Sequence, residues 1–448
     1  MLTAIRRLIA CLSMVLCLCA CQEKKYVSGL SENEVPSAWA DLSIYIAKNT
    51  PANSPTFASR GFGYIGLTMY EAVVCGFPAY HSLAGQLNQL NKLPLPDRNK
   101  SYSWVLSLNA AEAFILRSIY IQTSNENKLK IDSLENVIYH FVADTIEDKQ
   151  IALRSVAYGR SVASAIFAWS KSDGGHRGYL SNFDGKMFYP NGKGSWKPPF
   201  FAQQITRLPL HPHWGDNRTF LIADTNWKMP DFIPYDTLNN STCFNQSMLV
   251  YQTNKKITQE QKEIAMWWND DPSETYTPPG HSYNLASIVV RNKKASMIKA
   301  AQTYARVGMA VADAFIVCWR IKYKFYSERP STFVNEHIDS EWDPFWPDPP
   351  FPAFPSGHAT QAAAAATVFA GLYGDSIVFT DNSHVGRPRD KVKEVDYKPR
   401  KFTSFWQVAE ETAYSRFLGG IHTMQDNQVG LNEGAKIGHH INELQWTN

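Results

Sequence analysis

Cysteine is scarce in this chain beyond its first 21 residues. Of seven cysteines in 448 residues, only Cys75, Cys243 and Cys318 lie outside that segment, and their wide spacing fits neither a disulfide framework nor a zinc site. One bridge could form in an oxidising compartment. Cys318 lies in a helical run, so we expect it to be a buried free thiol.

Long apolar runs and excess charge are also missing. After residue 20 no segment reaches the ~18 uninterrupted apolar residues that indicate a membrane-spanning helix, so we expect no transmembrane span in the mature chain. The formal net charge of +3 gives no argument for nucleic-acid binding. Aromatic residues are abundant, with 13 Trp and 21 Tyr, and predict large cores and long, aromatic-rich loops.

The first 20 residues have the pattern of an export signal. Two arginines precede the apolar segment Leu8–Ala20, which is too short to span a membrane on its own. The segment Leu18-Cys19-Ala20-Cys21 resembles a bacterial lipobox, which implies a signal peptide over 1–20, a lipidated Cys21 and a polar tether over 21–35. Gln22 after the lipobox favours the outer membrane by the same resemblance. An ordinary secretory peptide cut near Ala20 is the alternative.

The lipobox resemblance makes a direct prediction about location. We expect an exported bacterial lipoprotein, held in the periplasm or at the outer membrane by its lipid alone. Replacing Cys21 by serine should move the protein from the membrane fraction to the soluble periplasmic fraction, whereas Cys19→Ser should leave it anchored. A Cys21→Ser protein that stays with the membrane would show that the anchor lies elsewhere.

Apolar residues at helical spacing predict an all-α protein. We divide the chain into an N-terminal helical region over 36–290 and a C-terminal catalytic region over 291–448. A segment over 173–257, rich in Gly, Pro, Asn and aromatics, interrupts the first region; it is either an ordered functional loop or a surface excursion. We expect a charged loop over 375–402 and helices over 54–75, 104–123, 127–143, 147–172, 258–268, 295–324, 358–372 and 407–417, with one more run from residue 278.

Three short motifs in the last third of the chain carry the chemistry. Together they contribute three cations, two neutral donors and two histidines, the set that binds and processes a tetrahedral oxyanion. The residues are Lys322, Arg329 and Arg416, then Ser356 and Gly357, then His358 and His422.

Local spacing suggests how these groups are presented. Ser356 and Gly357 stand where a Pro-bounded loop becomes a helix, and a helix N-terminus offers free N–H groups to an anion. A simple N-cap role for Ser356 is the alternative. Lys322 and Arg329 are seven residues apart and would share a face of one continuous helix. Solvated surface charge is the alternative for that pair.

The histidines differ in how specific their spacing is. His422 and Asp426 are four apart, so on a helix the carboxylate would fix the imidazole tautomer and leave the other nitrogen free. His358 is expected to carry protons. His281 is a candidate for the substrate pocket, with a structural role as its alternative, and Asp313 is expected to be a hydrogen-bonded core residue.

The motifs read Lys322-x6-Arg329-Pro330, Pro355-Ser356-Gly357-His358 and Ser415-Arg416-x5-His422-x3-Asp426. Their order and spacing resemble the signature of the superfamily of type 2 phosphatidic acid phosphatases and vanadium haloperoxidases, in its soluble haloperoxidase-like branch. Every fixed position is filled. The resemblance implies an all-α helical bundle with long aromatic- and Pro-rich loops.

The resemblance implies one of two reactions at the same residues. In a haloperoxidase, vanadate is the cofactor, His422 is its axial ligand, and hydrogen peroxide oxidises a halide to hypohalous acid. In a phosphatase there is no cofactor, and His422 attacks a phosphoester to form a phosphohistidine. The cations stabilise the oxyanion and His358 handles protons in both reactions.

Residues flanking the second motif favour the haloperoxidase. Phe351 stands five residues before Ser356, where the resemblance places an aromatic side chain of the halide site, and we expect bromide oxidation. Thr423-Met424-Gln425 after His422 fits neither branch. A catalytically silent lipoprotein that only binds a ligand is a third alternative, and the intact signature argues against it.

Overall fold

Thirteen α-helices and one two-stranded sheet form the described part of the chain, which in this computed structural model comprises residues 31–222, 226–272 and 274–448. The all-α prediction is confirmed. The predicted signal peptide and Cys21 lie outside the described residues. Within the described ranges, no helix is long and apolar enough to cross a bilayer.

The first five helices are α1 Val35–Lys48, α2 Pro55–Glu71, α3 Trp104–Ile119, α4 Asn125–Ala143 and α5 Lys149–Ser170. After a long irregular segment come α6 Thr242–Lys255, α7 Gln259–Trp267, α8 Thr277–Asn292, α9 Met297–Phe325, α10 Pro330–His337 and α11 Gly357–Tyr373. The strands β1 Ser376–Asp381 and β2 Arg400–Ser404 precede α12 Phe405–Leu418 and α13 Met424–Glu443.

Helix α9 is the central element of the core. Its 29 residues are buried along most of their length, and it packs chiefly against α2 on one side and α11 on another. A helix that is apolar nearly all round is stable only inside such a bundle. Its last turn therefore delivers Lys322 into the interior.

The Ala-rich helix α11 packs closely on α13. A side chain at Gly434 would overlap the Thr360 carbonyl, so glycine permits the two backbones to approach. This pairing brings the two helix N-termini together, and the Ser356 N–H donates to the Asp426 carbonyl at 2.9 Å. The second and third motifs thus meet through the packing of small residues.

Two predicted features of the chain are corrected. Lys322 and Arg329 do not share one helix, because α9 ends at Phe325, Tyr326 takes a left-handed φ of 50°, and Arg329 caps α10. The predicted loop over 173–257 extends too far, since α6 occupies residues 242–255. This helix is mostly polar and buries only Ser247 and Val250, so it lacks a strong apolar period.

The predicted charged loop over 375–402 is shorter, because β1 occupies its start and β2 begins at its end. Strands β1 and β2 pair antiparallel, and alternate side chains of β1 are buried. The predictions for Cys318 and Asp313 are confirmed. Cys318 is a buried free thiol, and the Asp313 carboxylate accepts the backbone N–H groups of Phe220 and Leu221 at 2.7 and 2.9 Å.

Candidate oxyanion site

The three motifs converge where the ends of α9, α11, α12 and α13 meet. Lys322 is in the last turn of α9, and Ser356 is the N-cap of α11. Arg416 is in the last turn of α12, and His422 stands just before α13. The ends of separate helices, rather than one helix face, gather the signature residues.

His422 has one nitrogen fixed and the other free of a proton. Its Nδ1 lies 3.1 Å from Asp426 Oδ2, and its Nε2 lies 3.2 Å from Arg329 Nη1, which can only donate. This pattern assigns the proton to Nδ1 and a lone pair to Nε2. Burial, followed by the cations Arg329, Lys322 and Arg416, holds the pKa of His422 well below its usual value. The imidazole is therefore a neutral base.

We expected His422 and Asp426 to be neighbours on one helix. Their contact forms instead across the start of α13. His422 precedes α13, Thr423 is its N-cap, and Asp426 is the third residue of the helix. Asp426 also accepts the Thr423 N–H at 2.9 Å, which is half of a capping box. One carboxylate thus caps the helix and orients the imidazole.

Lys322 is fully enclosed beneath the site. Its Nζ donates to the carbonyls of Pro352, Ala353 and Pro355 at 2.8, 2.7 and 2.6 Å. Burial lowers the pKa of Lys322 to about 7. In this arrangement the lysine holds the loop before Ser356, and its ammonium contributes to an anion chiefly through its charge.

Arg329 is also held by backbone carbonyls. Its guanidinium donates to the carbonyls of Phe351 and Ile421 at 2.9 Å each, besides its contact with His422 Nε2. Burial lowers the pKa of Arg329, and the carboxylates of Asp348 and Asp426 oppose that effect. The residue ties the loop of the second motif to the turn of the third.

Arg416 has one N–H group without a hydrogen-bond partner among the described residues. Its Nη1 donates to the Trp268 carbonyl at 3.0 Å, its guanidinium lies over the Trp346 ring at 4.1 Å, and its buried Nε–H has no partner within the described residues. Burial lowers the pKa of Arg416 to about 9, and Asp271 and then Asp270 partly offset this. An unpaired buried guanidinium N–H is costly unless an anion completes it.

His358 likewise has an unpaired nitrogen. Its Nε2 is buried without a partner among the described residues, and Asn269 lies beside the ring in the lining of the same cleft. Burial, and then the charge of Arg416, keeps the pKa of His358 well below its usual value. Ser356 acts as the N-cap, since its hydroxyl accepts the Ala359 N–H at 3.3 Å.

A cleft of about 440 Å³ leads to His358 and Arg416. Phe351 forms part of its wall and packs on the Trp319 ring, with 5.0 Å between centroids. Part of the long segment that follows α5 also lines it, through residues 202–204 and Leu210. Phe351 thus shares one cleft with two of the oxyanion residues.

His281 does not line this cleft, which corrects its assignment to the substrate pocket. It is 1% exposed, and its two nitrogens lie 2.8 Å from Asp270 Oδ2 and 2.9 Å from Asp381 Oδ2. An imidazole bonded on both sides by carboxylates has no atom left for a substrate. The alternative structural role describes it better.

Several residues of the site were not predicted from the sequence. Asp271, Trp346 and the Trp268 carbonyl all surround Arg416, and Asp270 faces both Arg416 and His358. The pair Asp270-Asp271 was visible only as a break in a helical pattern. No spacing rule connects it to Arg416, which is more than a hundred residues away.

The residues fit vanadate or phosphate. The Nε2 lone pair of His422, the unpaired Arg416 Nε–H and the unpaired His358 Nε2 are the groups that a bound oxyanion would complete. Lys322 and Arg329 add buried positive charge around the same point. Such a charge-assisted donor set is what a tetrahedral or trigonal-bipyramidal oxyanion requires.

Comparison with known proteins points to one family. A family model described as the VCPO second helical-bundle domain matches residues 302–446. The curated vanadium chloroperoxidase of Curvularia inaequalis is 25% identical in an alignment of length 251 that covers 41% of this chain and 41% of that protein. The chain therefore aligns with about two fifths of the length of this curated relative.

Solved structures match over nearly the whole chain. The crystal structure described as the first bacterial vanadium-dependent iodoperoxidase has a TM-score of 0.78 and 31% identity, covering 92% of this chain and 97% of that one. A holo-type bacterial vanadium-dependent chloroperoxidase has a TM-score of 0.67 at 15% identity, covering 89% and 93% respectively, and supports the fold alone. The chain belongs to the vanadium-dependent haloperoxidase family, within the superfamily of type 2 phosphatidic acid phosphatases.

Proposed function

We propose that this protein binds vanadate and oxidises halide with hydrogen peroxide. The observation that carries the proposal is His422 Nε2, a neutral nitrogen with its lone pair directed among three buried cations. The likeness to a bacterial iodoperoxidase over 92% of the chain supports it. Vanadate, when bound, supplies the Lewis acid that activates peroxide towards halide.

The residues that would hold vanadate are those of the signature. His422 Nε2 would hold the vanadate, and Arg329 Nη1, which now contacts that nitrogen, would then turn to an oxyanion oxygen. Arg416 brings its unpaired Nε–H, and the start of α11 brings the Ser356 hydroxyl and the Gly357 N–H. Lys322 adds charge from below.

His358 is placed to take and return a proton. Halide oxidation by peroxide consumes one proton, with hypohalous acid and water as products. Because the imidazole is neutral, its unpaired Nε2 is free to accept a proton from peroxide. Phe351 and Trp319 give the cleft an apolar wall beside it, suited to a weakly hydrated halide. Iodide is the first halide to test, because of the iodoperoxidase likeness.

Phosphatase activity is the second candidate, because the same tautomer of His422 would serve as a nucleophile. A lone pair at Nε2, an Asp426 partner at Nδ1 and three surrounding cations are also what a phosphohistidine mechanism needs. The cofactor would then be absent, and His358 would have to be protonated first in order to give the leaving alcohol its proton.

Replacing Arg416 by alanine is expected to weaken vanadate binding by about ten- to a hundredfold. The variant loses one charge-assisted contact, of about 1.5–3 kcal/mol, in a buried site. Isothermal calorimetry with the dialysed protein measures the affinity, and vanadium analysis gives the stoichiometry. Arg389→Ala, which removes a surface arginine paired with Asp396, should leave the affinity unchanged. Unchanged affinity in both Arg416→Ala and Arg329→Ala would refute the site.

A further inference from the structure

Behind the oxyanion site lies a chain of four buried side chains. His281 bridges Asp270 and Asp381 at 2.8 and 2.9 Å, and the other oxygen of Asp270 lies 3.0 Å from His384 Nε2. Each of the four is at most 2% exposed. They come from three separate segments: the loop after α7, helix α8, and the end of β1 with its following turn. We call them the Asp270 network.

Aromatic side chains enclose this network. Trp268 stacks on the His281 ring with 4.5 Å between centroids, and Tyr276 stacks on His384 at 5.7 Å. The Trp267 indole N–H donates to Asp381 at 2.8 Å. Polar groups buried this completely adopt one arrangement, because every alternative would leave a donor or acceptor unpaired.

Asp270 also has a backbone conformation that needs support. Its φ is 52°, in the left-handed region that a non-glycine residue adopts at a cost. Both carboxylate oxygens are bonded to imidazoles, and these bonds hold the residue in that conformation. The loop over 268–271 therefore has a shape that the Asp270 network imposes on it.

The same loop contacts two residues of the oxyanion site. The Trp268 carbonyl accepts a hydrogen bond from Arg416 Nη1 at 3.0 Å, and Asn269 lies beside His358 in the lining of the same cleft. Asp271 adds a carboxylate beside Arg416 and raises the pKa of that guanidinium against the effect of burial. Moving this loop would shift an anion donor and the proton carrier together.

We propose that Asp270, His281, Asp381 and His384 are positioning residues that fix the 268–271 loop and thereby direct Arg416 and His358 at the oxyanion. The inference rests on the proposed function for the identity of that anion. None of the four residues belongs to the three-motif signature. Their effect on the anion passes through the loop.

A proton on His281 holds the Asp270 network together. His281 has a carboxylate at each nitrogen, and although burial alone would lower its pKa, Asp270 and Asp381 raise it to about 10. The 2.8–3.0 Å separations are hydrogen-bond lengths. A metal ion is the alternative to this proton. Among the described residues, one set has ligand atoms placed to hold a metal ion, all within 4.8 Å of one another: Asp270, His281 and His384. Metal analysis of the purified protein distinguishes a proton on His281 from a bound metal ion.

The test measures vanadate affinity in His281→Gln and, in case that variant does not fold, in Asp381→Asn and His384→Gln. We expect about a tenfold loss of affinity in each. In an Arg416→Ala background the same substitution should cause less than a twofold further loss, because its effect passes through Arg416. Inorganic phosphate serves as a second probe.

Asp173→Asn is the matched control. It breaks another buried ion pair, between Asp173 and Arg60 at 2.6 Å, which contacts none of the oxyanion residues. It should lower the melting temperature without changing affinity for either probe. Three results would each overturn the proposal. The first is an additive loss of vanadate affinity in the double variant, and the second is unchanged affinity in the single variants. The third is a stoichiometric divalent metal that a chelator removes. A wild-type protein that binds phosphate but not vanadate would instead refute the proposed function.

Discussion

Replacing His422 by alanine is expected to abolish halide oxidation and to remove tight vanadate binding. His422 Nε2 presents an unprotonated nitrogen directly against Arg329, with Lys322 and Arg416 nearby. Without it, the cations can attract an oxyanion, but the nitrogen that would hold vanadate is gone. Any phosphoester hydrolysis should vanish in the same variant, because that reaction needs the same nitrogen as its nucleophile.

Turnover of iodide, vanadium content after dialysis and circular dichroism together measure this effect. His337→Ala, which removes a partly exposed histidine bonded to Tyr235, is the control and should behave as wild type. A folded His422→Ala protein that retains stoichiometric vanadium and turnover would contradict the assignment of His422 as the ligand.

Replacing His358 by alanine is expected to lower turnover by about 10²- to 10⁴-fold, the usual contribution of a positioned proton carrier. Vanadate affinity should change much less, because the lost group carries no charge in the resting site. Water can replace a proton carrier in part, so the loss should be smaller than that in His422→Ala. Steady-state kinetics beside calorimetry separates the two quantities. An affinity loss equal to the turnover loss would show that His358 mainly holds the anion.

The sequence was sufficient to predict the elements that carry the motifs. The helix expected from residue 358 begins at Gly357, with Ser356 as its cap, because Pro before a Ser-Gly start leaves few alternatives. The Ala-rich segment that follows fits only a closely packed helix. The resemblance of the three motifs was confirmed by the family comparison.

How the site is assembled could not be predicted in the same way. The helix predicted over 295–324 does end at Phe325, but the left-handed turn at Tyr326 that separates Lys322 from Arg329 has no marker of its own in the sequence. Apart from His422 Nε2, the hydrogen-bond partners of those two cations are backbone carbonyls, which every sequence contains. The side-chain pattern therefore gave the charges but not their hydrogen bonds.

The Asp270 network shows the same limit more clearly. His281 and His384 were visible only as isolated histidines, and Asp381 lies in a strand that the pattern did not predict. Their bonds join residues about a hundred positions apart in the chain. Such contacts follow from the packing of α7, α8 and β1, which local periodicity does not specify.

Paired activity assays on one preparation test the central claim most directly. The protein is freed of anions, divided, and one half is loaded with vanadate; both halves are assayed for iodide and bromide oxidation by peroxide and for phosphomonoester hydrolysis. We predict halide oxidation only in the loaded half, and at most weak hydrolysis in the other, which vanadate inhibits. Rapid hydrolysis by the unloaded protein, with no halide oxidised after loading, would contradict the account and establish the phosphatase.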